Sequence, residues 1–123
     1  NDVLIPASGE TQIDIATASC VLHDDVALSG DLNIFRTKEN GVFLSYLIRS
    51  HLKMQIAQLA QGNSVVHLYS SQLKGVRLNL PCLEEQTKIA NFLSAIDQKI
   101  EVVAQQIEQA KMWKKGLLQQ MFV

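Results

Sequence analysis

The sequence predicts an α+β protein: a small mixed domain with short strands and one helix, then a long C-terminal helix that forms a coiled coil with another helix. Three observations lead there. From Ile89 to Met121 apolar residues recur at alternating steps of four and three, the spacing of a coiled-coil seam. Before Pro81 the apolar runs are short and strand-like, with one stretch at helical period. Beyond Pro81 there is no further proline and Gly116 is the only glycine, so nothing interrupts a helix that spans roughly 55 Å at the usual rise per residue.

In chain order, residues 2–5 (DVLI) read as a strand and Ser8-Gly9-Glu10 as a turn. Residues 12–22 read as a longer extended segment with Ile13 and Ile15 on one face, broken by His23-Asp24-Asp25. Residues 32–35 form another short strand, ended by the polar run 36–40. The period then changes: Phe43, Leu44, Leu47, Ile48, Leu52, Ile56 and Leu59 fall at helical spacing. This predicts a helix over about residues 42–61, with Asn40 as N-cap and Gly62 as the C-cap glycine. Residues 65–68 are a strand candidate, and Val76, Leu78 and Leu80 alternate with Arg77 and Asn79 as in a half-buried strand. Pro81 closes that strand, which divides the chain into a first domain at 1–81 and a helix at 82–123.

The long helix opens with Glu84 and Glu85 where the macrodipole favours acids, and Lys111, Lys114 and Lys115 sit toward the end that suits cations. Leu93, Ile100, Ile107, Lys114 and Met121 form one heptad position; Ile89, Ile96, Val103, Ala110 and Leu117 form the other. A single helix cannot bury such a stripe, so another helix must cover it. Lys114 is a defect in the seam, where packing loosens or a third partner docks. Trp113, off the seam, is a reasonable anchor for another protein.

Composition narrows the function. A length of 123 residues fits one domain, or one with an appendage. A net charge of −1 gives no global pull toward nucleic acid or membrane, although a local basic face can still bind DNA. The apolar runs are too short to span a bilayer. No signal peptide is visible, and a chain that opens with Asn1 can be a piece of a longer one. Cys20, in an apolar stretch, reads as a buried small residue; neither it nor Cys82 has the spacing of a zinc site. A reduced, cytoplasmic protein follows. His23, His51 and His67 lie in no nucleophile or metal motif, and adjacent Glu84 and Glu85 point to different helix faces. An active site wholly within this chain is not expected.

DNA reading calls for exposed loop groups that donate and accept at base edges or phosphates. The candidates are Ser8, Glu10 and Thr11 in the first turn, Arg36 and Lys38 after the third strand, and Asn63, Ser64 and His67 around Gly62. Asn can bond bidentately to adenine and Ser to phosphate or base edges. The alternative is structural: Gly62 as a helix stop, Asn63-Ser64 as a turn, and His67 as a satisfied histidine. No basic run stands out, since six bases face seven acids before Pro81.

The run G-N-S-V-V-H-L, then L-K-G-V-R-L-N-L-P, then L-E-E-Q-T-K-I-A-N-F-L-S-A-I-D-Q-K-I, and finally K-K-G-L-L-Q-Q-M-F resembles the DNA-specificity subunit of type I restriction-modification enzymes. The resemblance is close in the second half of the chain and looser in the first, where residues 2–9 resemble a strand and turn of the family's target-recognition domain. It implies a non-catalytic subunit whose recognition domains each read half of a split site on double-stranded DNA. It also implies paired antiparallel helices that space the half-sites. Methyltransferase subunits holding S-adenosylmethionine would dock on this assembly, with a separate restriction subunit that uses ATP and magnesium; no cofactor is expected on this chain. A full subunit has two recognition domains and two helices, and this chain has at most one of each. It would therefore be a half or a fragment, completed by a homodimer or a second half. Two other readings remain: an oligomerisation module without a DNA role, and an enzyme fragment of unrecognised type.

Overall fold

The structure, a computed structural model, describes residues 1–122 and divides into two compact units, Asn1–Ala90 and Asn91–Val123. It is a mixed α/β chain with small sheets and one long helix.

In the first unit, β1 (Val3–Pro6) is the middle of a three-stranded antiparallel sheet, between β3 (Ser19–Cys20) and β4 (Leu32–Phe35). The register sets Val3 against both Cys20 and Phe35, and Pro6 against Leu32. Val3 and Ile5 alternate inward, as a half-buried strand requires. They join one core with Phe43, Leu44 and Ile48 of α2 (Gly41–Arg49), and with Ile56 and Ala57 of α3 (Lys53–Leu59). Each fully buried Leu or Ile among them contributes about 1.5–3 kcal/mol.

Just past β1 the chain changes partners. The N–H of Ala7 donates to the carbonyl of Asp31 at 2.9 Å, and its own carbonyl accepts from Leu68 N–H at 2.9 Å. Ala7 thus hands the chain from the first sheet to a second, two-stranded ribbon of β2 (Ser8–Gly9) and β5 (Val66–His67) without leaving a backbone group unpaired. Two short helices complete the unit's fold, α1 (Gln12–Ile15) and α4 (Ser70–Leu73).

The first turns of α5 (Leu83–Met121) belong to the first unit and bury one amide there. Gln86 is fully buried; its Nε2 donates to Glu39 Oε2 at 2.6 Å and to the carbonyl of Pro81 at 2.9 Å, while its Oε1 accepts from Asn40 N–H at 3.0 Å. Asn40 in turn caps α2, its Oδ1 accepting from Phe43 N–H at 2.9 Å, as the sequence predicts. Ala90 is buried and Ile89 packs against the same core.

Several expectations need correction. Residues 12–22 are not one extended segment. Thr11 caps a helical turn, its hydroxyl accepting from Asp14 N–H at 3.1 Å, and only Ser19–Cys20 are strand. Helical residues two apart diverge by about 200°, so Ile15 is buried while Ile13 is exposed. Ser8-Gly9 is paired strand, not an open turn. The single helix over 42–61 is two helices. At the break the Ser50 hydroxyl bonds to the Tyr46 carbonyl at 2.7 Å, the kind of local bond that competes with the helical ladder. The apolar period survives the break because Ile48, Leu52 and Ile56 remain one turn apart and buried.

Gly62 is not the helix cap either, since α3 ends at Leu59 with Ala60 as its cap. Its φ of 137° opens the loop into β5. Val76, Leu78 and Leu80 are half-buried against exposed Arg77 and Asn79, but among the described residues no strand pairs with them. Cys20 is half-buried rather than buried. The last turn of α5 holds no cation; Lys115 lies before it, where the terminal dipole no longer reaches.

Candidate nucleic-acid interface

The two-stranded ribbon brings most of the candidate reading residues together. Ser8 lies opposite His67 and Gly9 opposite Val66. Gln61 closes the loop with a reciprocal pair of backbone bonds to His67, of 2.9 and 2.7 Å. Between them Gly62, Asn63, Ser64 and Val65 are exposed. Only glycine suits position 62: the backbone is left-handed there, and a side chain would meet the carbonyl oxygen of Val65. The closed loop therefore presents Asn63 and Ser64 at its tip.

Two further groups define the ribbon chemically. The His67 ring stacks on Tyr69, with centroids 6.1 Å apart and planes 18° from parallel. Tyr69 is exposed and was not among the sequence candidates; its signal was an aromatic two residues beyond His67, on the same side of an extended stretch. The Ser8 hydroxyl donates to the Asp31 carboxylate, so its donor is already engaged. Thr11 is likewise committed, bonding Asp14 Oδ2 at 2.6 Å as well as capping α1. Glu10 is exposed next to it. Glu10, Asn63, Ser64 and His67 are thus exposed candidates at the ribbon.

Arg36 and Lys38 lie elsewhere. Arg36 follows β4 at the end where that strand meets the start of β1, and its guanidinium grips Asp2 through Nε at 3.2 Å and Nη2 at 2.8 Å. That bond holds the Asp2 carboxyl below its ordinary value, and the carboxylate raises Arg36 in return. Lys38 is exposed. Asp2 precedes β1 and Ser8 follows it, so the strand separates the two groups of candidates. A basic end and a neutral polar ribbon are therefore separate features of one unit.

A cavity of about 300 Å³ lies among Ile5, Phe35, Leu44, Ile48 and Leu78, with Lys74 as its charged lining residue. Among the described residues no cluster of His, Cys, Asp and Glu could hold a metal ion, and no helix is long and apolar enough to cross a membrane.

In the second unit α5 runs on to Met121. Along the predicted seam Ile96, Ile100, Val103, Ile107 and Met121 are 39–71% exposed, and Ala110 is exposed too. Leu93 and Leu117 are half-buried, and Ile89 belongs to the first unit's core. Phe92, Val102, Met112, Trp113 and Leu118 add exposed apolar surface off the seam.

The first unit thus carries a polar ribbon, and the second a helix with an exposed apolar stripe. The chain belongs to the family described as the type I restriction modification DNA specificity domain, whose sequence profile matches residues 2–112. It is similar to a specificity subunit assigned to the type I restriction enzyme MjaX of Methanocaldococcus jannaschii, 35% identical over 100 residues, which is 75% of this chain and 23% of that protein. It is also similar to the type I restriction enzyme MjaVIII specificity subunit of the same organism, 32% identical over 84 residues, 66% of this chain and 19% of that protein. The chain therefore spans about a fifth of the length of these curated relatives. No solved structure gives a significant match.

Proposed function

We propose that this chain is a non-catalytic half or fragment of a type I DNA-specificity subunit, reading one half-site of double-stranded DNA in the cytoplasm. In this reading residues 1–81 are the recognition part. The ribbon tip with Asn63, Ser64, His67 and Tyr69 reads base edges, while Ser8, Thr11 and Glu10 shape its flank. Arg36 and Lys38 serve phosphates at the other end of β1. Residues 82–123 pair antiparallel with a second such helix, set the spacing between half-sites and dock the methyltransferase subunits. S-adenosylmethionine, ATP and magnesium act on the partner methyltransferase and restriction subunits.

The observation that carries the reading is that the family's profile runs through both the recognition unit and the helix, over residues 2–112. The exposed seam and the ribbon then give each half of the proposal a physical surface.

A second reading, an oligomerisation module without a DNA role, draws on the charge balance: six bases against seven acids before Pro81 leave few phosphates that this chain could neutralise alone. One experiment separates the two. Fluorescence anisotropy on duplex DNA should show weak, steeply salt-dependent binding by the chain alone and tighter, sequence-dependent binding once a methyltransferase subunit is added. Unchanged affinity on adding that subunit would favour the oligomerisation module.

A further inference from the structure

From Val65 to Tyr69 burial alternates residue by residue. Val66 and Leu68 are 3% and 0% exposed and belong to the core, while Val65, His67 and Tyr69 face outward. Val66–His67 is strand, and Tyr69 continues extended with φ −91° and ψ 146°. Side chains two apart on such a run share a face, so the three outward residues form one row on the ribbon. His67 and Tyr69 are its aromatic part. Val65 is aliphatic, stands next to Asn63 and Ser64 at the tip, and is 52% exposed. We infer that Val65 is a base-reading residue, packing its methyl groups on the 5-methyl group of a thymine in the major groove, with His67 and Tyr69 meeting the second and fourth base pairs beyond. This rests on the DNA-reading role proposed above for the ribbon and adds to it a residue, a base and a spacing.

The dimensions of strand and duplex agree. Side chains on one face of a strand recur about every 6.7 Å. Two base steps of duplex DNA rise about 6.8 Å, so a row of this kind meets every second base pair. The His67 and Tyr69 rings, 6.1 Å apart between centres, keep close to that interval. The major groove, about 12 Å wide, admits a two-stranded ribbon, whereas the minor groove is about half as wide. The thymine methyl is presented in the major groove, and it is the one apolar group that a base edge offers there. Valine has nothing to hydrogen-bond with, so cytosine in that place would set its amino donor against a side chain that cannot accept.

The row is also held in shape from behind. Gln61 and His67 exchange two backbone bonds, of 2.9 and 2.7 Å. Leu68 N–H donates to the Ala7 carbonyl at 2.9 Å, and its own carbonyl accepts from Asn33 Nδ2 at 2.9 Å. Tyr69 N–H donates to Gln72 Oε1 at 2.8 Å, and Gln72 Nε2 donates to the Leu59 carbonyl at 2.6 Å. Val65 is β-branched, which restricts its side chain to few rotamers. A contact made by side chains ordered in advance loses little entropy when DNA binds.

Replacing thymine with uracil removes the 5-methyl group and leaves base pairing intact, which isolates the contact. The duplex is the motif that the chain selects together with a methyltransferase subunit, with each thymine changed to uracil in turn, and affinity is read by fluorescence anisotropy. One replacement should weaken the wild type about fourfold, the loss expected for one buried methyl group. Val65→Ala should bind the unmodified duplex more weakly and become indifferent to that same replacement. His67→Ala and Tyr69→Ala should relax base preference two and four pairs from that thymine. Far-UV circular dichroism checks that each variant keeps its fold. If no uracil weakens the wild type, or if Val65→Ala keeps the full uracil response, Val65 does not read a thymine, while the ribbon's other readers stand. If the wild type selects no motif at all, the DNA-reading role fails and this inference fails with it.

Discussion

Replacing Gln86 with leucine tests how the long helix is anchored. The side chain is fully buried and makes three hydrogen bonds, to Glu39 Oε2, the Pro81 carbonyl and Asn40 N–H. Leucine is close in volume, so cavity formation contributes little and the polar loss dominates. The two bonds to neutral backbone groups contribute about 1 kcal/mol each, and the bond to the Glu39 carboxylate about 1.5–3 kcal/mol. The new apolar contact offsets part of this. A net loss of about 3 kcal/mol follows, a large fraction of the roughly 5–15 kcal/mol that holds a domain of this size together. Urea unfolding followed by far-UV circular dichroism should show a lower midpoint with an unchanged slope. A double-mutant cycle with Glu39→Ala should return a coupling of at least about 1.5 kcal/mol. A loss below about 1 kcal/mol in Gln86→Leu, with the slope unchanged, would refute the anchoring argument.

Other substitutions address the ribbon and the basic end. Gly62→Ala should destabilise the chain by about 1–3 kcal/mol, measured by thermal unfolding, because its left-handed backbone and the nearby Val65 carbonyl leave no room for a side chain. Asn63→Ala should change preference at one base pair in a panel of single-base variants, whereas Arg36→Ala should weaken all sequences alike; no change in either would discard these residue choices. The Asp2 carboxyl lies below its ordinary value of 3.8, chiefly because Arg36 hydrogen-bonds to it. An acid depressed in this way adds stability above its unfolded pKa and loses it as pH falls through the folded value. Asp2→Asn should therefore flatten the acid limb of stability below about pH 4 and change little at pH 7, as unfolding across that range would show.

The sequence carries the long helix openly because a heptad repeat is a local pattern that packing elsewhere does not alter. Strand β4 and the Asn40 cap were legible for the same reason: each depends on neighbours in sequence. The ribbon was not, because pairing of Ser8-Gly9 with Val66-His67 joins segments nearly sixty residues apart, and nothing in either run names the other. A two-residue strand also has no period to detect. The Gln86 anchor was invisible for a related reason, since a glutamine in the first turn of a helix reads as solvated until Glu39 and Asn40 are brought over it. The Thr11-x-x-Asp14 spacing did carry a helix-start signal, but Ile13 and Ile15 at alternate positions outweighed it as an apparent strand. Loop chemistry named Asn63, Ser64 and His67 as well as Arg36 and Lys38, but it carries no distances; the antiparallel register sets Arg36 beside the start of β1.

Selection from a pool of randomised duplex DNA, by the chain together with a methyltransferase subunit, tests the central claim most directly. Two copies joined by antiparallel helices, each reading a half-site, should enrich one short motif present twice in inverted orientation at a single fixed spacing. Enrichment of no motif, or of a lone motif without its inverted partner at a constant distance, would contradict the account.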